Sequence, residues 1–72
     1  MKEQELVSIQ KTAIKKRGTA KSSIKKEFYD KVIGKAEFRL RHFFKIEVIQ
    51  SDMWKKAKGT IKDDELKSFL IH

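Results

Sequence analysis

The side chains that most often carry catalysis or hold metals are few and scattered in this sequence. The two histidines, His42 and His72, lie far apart, and the chain contains no cysteine. A structural zinc site needs four ligands at suitable spacing, and the acidic run Asp63, Asp64 and Glu65 lacks the surrounding pattern of a calcium-binding loop. The three glycines stand singly, which argues against a glycine-rich phosphate-binding loop. We therefore expect no metal, no cofactor and no enzymatic activity.

The feature that points to a function is the uneven distribution of positive charge. The 72 residues hold 18 lysines and arginines against 10 acids, which gives a net charge of +8. No acid lies within residues 11–26, where the cations are Lys11, Lys15, Lys16, Arg17, Lys21, Lys25 and Lys26. A local excess of this size attracts polyanions, and binding to nucleic acid gains further from the release of condensed counterions. Nucleic acid is therefore the favoured partner.

Specific recognition would need polar side chains near the bases as well as cations near the phosphates. Ser22 and Ser23 lie inside the basic stretch, and Arg39 and Arg41 follow it. The complete predicted contact set is Lys11, Lys15, Lys16, Arg17, Lys21, Ser22, Ser23, Lys25, Lys26, Arg39 and Arg41. We expect a DNA-binding regulator or accessory factor, with DNA favoured over RNA. A homodimer would fit, because one module of this size buries little interface.

Length and composition favour one small cytoplasmic domain. Residues 1–72 are 39% hydrophobic, which is enough for a thin core. No apolar run is long enough to span a membrane, and the first residues lack the layout of a signal peptide. The alternative function is a protein-binding adaptor or inhibitor that docks on an acidic protein surface, with Phe43 or Trp54 as its anchor. Binding to a membrane surface is the weakest hypothesis.

Hydrophobic periodicity predicts helices over residues 3–17 and 20–33. Gly18 is expected to end the first helix. Thr19 is expected to cap the N-terminus of the second helix, and Gly34 is expected to end that second helix. The seam expected to pack inward from the second helix consists of Ala20, Ile24, Phe28 and Val32. Tyr29 and Ile33 are expected to add an apolar edge beside it.

The later part of the chain is harder to assign. Residues 37–49 alternate apolar and charged side chains, which favours a strand, but no partner strand is evident, so a helix is slightly preferred. A short helix is expected around Met53 and Trp54. A last helix is expected to follow, with Thr60 as its cap and with Asp63 and Asp64 in its first turn. The apolar face of this last helix consists of Ile61, Leu66, Phe69 and Leu70. The predicted fold is mainly α with about four helices. The alternative is an α+β fold in which residues 38–48 form a strand.

Residues 13–28, AIKKRGTAKSSIKKEF, resemble a helix-turn-helix DNA-binding segment. The resemblance implies a turn at Gly18 and an inward-facing Ile24, with the lysines and serines of residues 21–26 facing the nucleic acid. Ile14 and Arg17 depart from the pattern, because a small residue and a buried residue are usual there. A second register places the turn at Gly34, with Leu40 and Phe43 inward and Arg39 and Arg41 outward. No family is assigned on this resemblance.

Overall fold

The computed structural model describes residues 3–40 and 52–72, and this part of the chain is mainly helical. The helices are α1 (Glu3–Thr19), α2 (Ser23–Arg39), α3 (Asp52–Lys56) and α4 (Asp63–Ile71). No strand occurs among these residues, and the prediction of a mainly α fold is confirmed. Phe38 and Arg39 are helical, whereas most of the segment proposed as an alternative strand lies outside the described residues.

Helices α1 and α2 form an antiparallel hairpin joined by residues 20–22. Near the turn, the Arg17 guanidinium donates a hydrogen bond to the Asp30 carboxylate. Seven residues further from the turn on each helix, Gln10 Nε2 donates to Glu37 Oε1 at 3.3 Å. The same register therefore holds at both places, so the two helices run side by side for at least two turns.

The hairpin helices extend past the glycines that were expected to end them. Helix α1 continues through Gly18 to Thr19, and Ser22, rather than Thr19, is the N-cap residue of α2. Helix α2 continues through Gly34, and no glycine of the described chain has a positive φ. Glycine costs a helix only about 1 kcal/mol relative to alanine. Ile33 and Ala36, close to this glycine, are buried in the core, and the burial of apolar side chains outweighs that cost.

The core lies between the hairpin and α4, and it differs from the expected seam on α2. Val32 is fully buried, but Ile24 is 79% exposed, so its predicted inward position is wrong. The buried apolar side chains of α2 are Tyr29, Val32, Ile33 and Ala36. The buried face of α2 is therefore rotated about the helix axis relative to the predicted seam, and the two faces share Val32. Leu66 and Phe69 of α4 complete the core, as predicted for the apolar face of the last helix.

Two lysines of the hairpin attach the shorter helices by binding their C-terminal carbonyl groups. Lys11 Nζ donates to the carbonyl oxygens of Trp54 at 2.8 Å and Ala57 at 3.1 Å, at the end of α3. Lys35 Nζ donates to the carbonyl oxygens of Phe69 at 2.6 Å and Leu70 at 3.3 Å, in the last turn of α4. Cations are favourable at this end of a helix because the carbonyl groups there lack helical partners.

The N-terminal end of α4 also differs from expectation. Lys62 is its N-cap residue, and the helix begins at Asp63, so Thr60 does not cap it. The acids predicted for its first turn, Asp63 and Asp64, are in that turn. None of the helices in the described ranges is long and apolar enough to cross a bilayer.

Candidate nucleic-acid interface

The structure divides the predicted contact residues into cations held by the fold and cations left in solvent. Lys11 belongs to the first group, because its ammonium is bound to carbonyl groups of Trp54 and Ala57 and lies 5.8 Å from the centre of the Trp54 ring. Its side chain is half-buried. Lys11 therefore fixes α3 to α1, and this role was not evident from its place in a basic stretch.

Lys16 is held by an acid that lies far away in the sequence. Its Nζ is 2.7 Å from Asp63 Oδ1, and the Tyr29 hydroxyl donates to Asp63 Oδ2 at 3.1 Å. The hydrogen bond from Lys16 is the main cause that lowers the pKa of Asp63, with help from Tyr29 and the charge of Lys25, whereas burial opposes the shift. Burial, followed by the hydrogen bond and charge of Asp63, raises the pKa of Tyr29.

Arg17 forms an ion pair across the hairpin. Its Nε donates to Asp30 Oδ1, and both side chains remain about half exposed. Arg17 therefore keeps part of its guanidinium surface in solvent while its charge is largely compensated. Sequence reasoning missed both acidic partners, because Asp30 and Asp63 lie outside residues 11–26 and only the fold brings them to the basic stretch.

Four lysines remain exposed near the hairpin turn. None of them forms an ion pair with another residue of the described chain; they are Lys15, Lys21, Lys25 and Lys26. Ser22 and Ser23 lie between them and are also exposed. We call Lys15, Lys21, Lys25 and Lys26 the turn cluster. It contains the part of the predicted basic stretch that is available to a partner.

The charge around the turn stays positive after the acids are counted. Residues 15–26 carry six cations, and Asp30 and Asp63 supply two carboxylates, so the formal charge is +4. The first turn of α2 contains no acid, whereas the other described helices each have at least one there. Glu27, the next acid along α2, lies 3.9 Å from the Lys31 ammonium. The turn therefore presents a local positive potential to solvent.

The remaining predicted contact residues are not part of this surface. Arg39 is exposed, but it is the last residue of the 17-residue α2 and lies at the end opposite the turn. A helix of that length measures about 25 Å, so Arg39 lies far from the turn cluster. Arg41, like Phe43 and His42, lies outside the described residues. The single contact set predicted from the sequence is therefore not brought together as a whole.

Two features on which the helix-turn-helix resemblance rests are absent from the described hairpin. The turn falls at residues 20–22 rather than at Gly18, and Ile24 points into solvent. Gly34, the turn of the second register, lies inside α2. The extended side-by-side register of Gln10 with Glu37 and of Arg17 with Asp30 is that of an αα-hairpin.

A separate groove of about 640 Å³ lies away from the turn cluster. Ile9, Ile61 and Phe69 contribute apolar surface to it, and Arg39 and His72 also line it. The residues of this groove come from distant parts of the chain, so no local pattern indicates it. Nowhere in residues 3–40 and 52–72 do three or more histidines, cysteines or acids gather in a way that could hold a metal ion.

No protein-family model, curated protein or solved structure matches this chain. The fold defines the class only as a small helical protein built on an antiparallel hairpin. Fold alone does not assign a function, whereas the chemistry of the surface can indicate one.

Proposed function

We propose that this protein is a non-enzymatic nucleic-acid-binding module that contacts phosphate groups through the turn cluster. The observation that carries the proposal is the exposure of four lysines around one turn, none of them in an ion pair with another described residue: Lys15, Lys21, Lys25 and Lys26. Neutralising phosphates with such lysines releases counterions, which favours binding. We favour DNA over RNA as the ligand. A protein that binds DNA without catalysis would act as a regulator or an accessory factor.

Lys16 and Arg17 have a secondary role in the proposed interface. Their ion pairs with Asp63 and Asp30 orient them and reduce the charge they offer to a phosphate. Replacing them would also weaken the packing of α4 and of the hairpin. The lysines of the turn cluster are therefore the better targets for a test, because their side chains are exposed and their loss should leave the fold intact.

The test measures the affinity for short duplex DNA as a function of salt concentration, using fluorescence anisotropy. If four lysines each contact one phosphate, log affinity falls with log salt at a slope of about −3.6. The triple variant Lys21→Gln, Lys25→Gln, Lys26→Gln should flatten that slope by about 2.7 and weaken binding to all sequences alike.

The matched control removes the same charge elsewhere. Lys55, Lys56 and Lys67 are exposed on α3 and α4 and have no ion pair with other described residues. Their triple glutamine variant should keep the slope of the parent, because charges beyond about 8 Å are screened at physiological salt. An equal loss in both variants would show that net charge alone drives binding and would overturn the assignment of the turn cluster.

The alternative function, docking on an acidic protein surface, is also an outcome of this experiment. It predicts weak DNA binding even at low salt. One of its proposed anchors, Trp54, is half-buried and packs against the core, which leaves less of its ring for a partner. Sedimentation of the DNA complex would show whether one copy or a homodimer binds.

A further inference from the structure

The exposed isoleucine beside the turn cluster has no role in the core. Ile24 is 79% exposed, although it lies in the first turn of α2, only a few residues from apolar side chains that are buried. Its near neighbours in sequence, from Lys21 to Lys26, are two serines and three lysines, all exposed. Ile24 is therefore an apolar side chain on a surface that is otherwise hydrophilic and positively charged.

We infer that Ile24 contacts the C5-methyl group of thymine in the major groove of duplex DNA, and thereby makes the proposed nucleic-acid site selective for DNA. This inference rests on the proposed function. The surrounding lysines would hold the phosphates on either side of the groove, and the branched side chain of Ile24 would meet the methyl group. Apolar contact with this methyl group is one of the standard means by which proteins read A·T pairs.

The chemistry of the two nucleic acids explains why this contact would favour DNA. The major groove of B-form DNA admits an α-helix and exposes the thymine methyl group. RNA carries uracil, which lacks that group, and its A-form major groove is too deep and narrow for side chains to enter. Phosphate contacts by lysine do not distinguish the two polymers by base. Ile24 is the exposed apolar side chain of this surface, so it can contact the thymine methyl group that RNA lacks.

The experiment compares two short A·T-rich duplexes that differ only in their methyl groups. One contains thymidine, and the other has deoxyuridine at every thymidine position, so that charge and base pairing are unchanged. The parent should bind the thymidine duplex more tightly, by roughly fourfold for each methyl group buried. The Ile24→Ala variant should bind both duplexes equally and should match the parent on the deoxyuridine duplex.

Ile71 supplies a matched control, because it is also 79% exposed but lies at the end of α4. The Ile71→Ala variant should retain the preference of the parent for thymidine. Circular dichroism melting of both variants checks that each remains folded, which is expected because both side chains are exposed.

The outcomes separate this inference from the proposed function. Equal binding of the parent to both duplexes, with the salt slope intact, would overturn the role of Ile24 and leave the phosphate contacts standing. A thymidine preference that survives in Ile24→Ala, or tighter binding to duplex RNA than to DNA, would also overturn it. Absence of binding to either duplex at low salt would overturn the proposed function itself.

Discussion

The Lys16 ammonium and the Asp63 carboxylate lie 2.7 Å apart and join the hairpin to the first residue of α4. The two residues are 47 positions apart in the chain. Tyr29 binds the same carboxylate from α2, so one acid connects three helices. This relationship changes the meaning of the basic stretch, because one of its lysines serves tertiary structure.

Asp63 should contribute to stability at neutral pH and lose that contribution in acid. Its folded-state pKa is lowered, chiefly by the hydrogen bond from Lys16. The contribution is therefore present above the ordinary pKa of aspartate, about 4, and is lost as the pH falls through the lower folded-state value. The Asp63→Asn variant should lose about 1 kcal/mol at pH 7, since the pair is partly exposed.

Urea denaturation at several pH values measures this effect. The free energy of unfolding of the parent should fall more steeply below about pH 4 than that of Asp63→Asn. Asp64→Asn, in the same turn but exposed, is the control and should behave as the parent. Parallel acid profiles for the parent and Asp63→Asn would contradict the proposed contribution of this carboxylate.

Replacing Lys11 should loosen the attachment of α3 to the hairpin. The Lys11→Met variant keeps most of the apolar stem but removes the ammonium that donates to the carbonyl groups of Trp54 and Ala57. A hydrogen bond to a charged group contributes about 1.5–3 kcal/mol, so a loss of about 2 kcal/mol is expected. The emission of Trp54, the single tryptophan of the chain, should change as its environment opens.

Lys35→Met is the matched control for this experiment. Lys35 makes the corresponding contacts with carbonyl groups of Phe69 and Leu70 at the end of α4. Its replacement should destabilise the protein by a similar amount and leave the tryptophan emission of the folded state unchanged. A change of emission in both variants would show that α3 and α4 respond as one unit.

Replacing Gly34 with alanine should stabilise the protein. Gly34 lies within α2 without a positive φ, and a Cβ atom built there meets nothing within 4 Å. Removing a glycine from a helix interior yields about 0.5–1 kcal/mol. For a domain of this size, 1 kcal/mol corresponds to about 4–8 °C in Tm. A lower Tm for Gly34→Ala would restore the interpretation of Gly34 as the end of the helix.

Two alanine variants distinguish the predicted seam from the observed core. Ile24 is 79% exposed and Val32 is fully buried. Thermal melting should therefore show a change within about 0.5 kcal/mol for Ile24→Ala. Val32→Ala should lose about 2 kcal/mol through lost burial and the cavity it leaves. Similar losses for the two variants would favour the original seam.

Periodicity in the sequence was sufficient to predict the existence of the helices but not their ends. Apolar spacing indicated α1 and α2, because an amphipathic stripe is a local property. The ends depend on tertiary packing, which carries α2 through Gly34. Packing also decides that the predicted apolar edge of Tyr29 and Ile33 is buried while Ile24 is exposed. No local signal contains that information.

The candidate site could be predicted only in outline for the same reason. The excess of positive charge is visible in the sequence, but its compensation by Asp30 and Asp63 depends on the fold. Lys11 looked identical to its neighbours because the carbonyl groups that bind it come from residues 54 and 57. Lys11, Lys16 and Arg17 are bound by other parts of the fold, so the candidate surface is reduced to the turn cluster.

The register of the hairpin also has a consequence for the order in which the chain folds. The pair nearest the turn, Arg17 with Asp30, closes a loop of 13 residues, and the next pair, Gln10 with Glu37, closes one of 27. Closing the contact between Lys16 and Asp63 spans 47 residues and costs more chain entropy if made first. We expect the transition state to contain the turn-proximal hairpin, with α4 docking late, so that substitutions at the Lys16–Asp63 contact mainly accelerate unfolding.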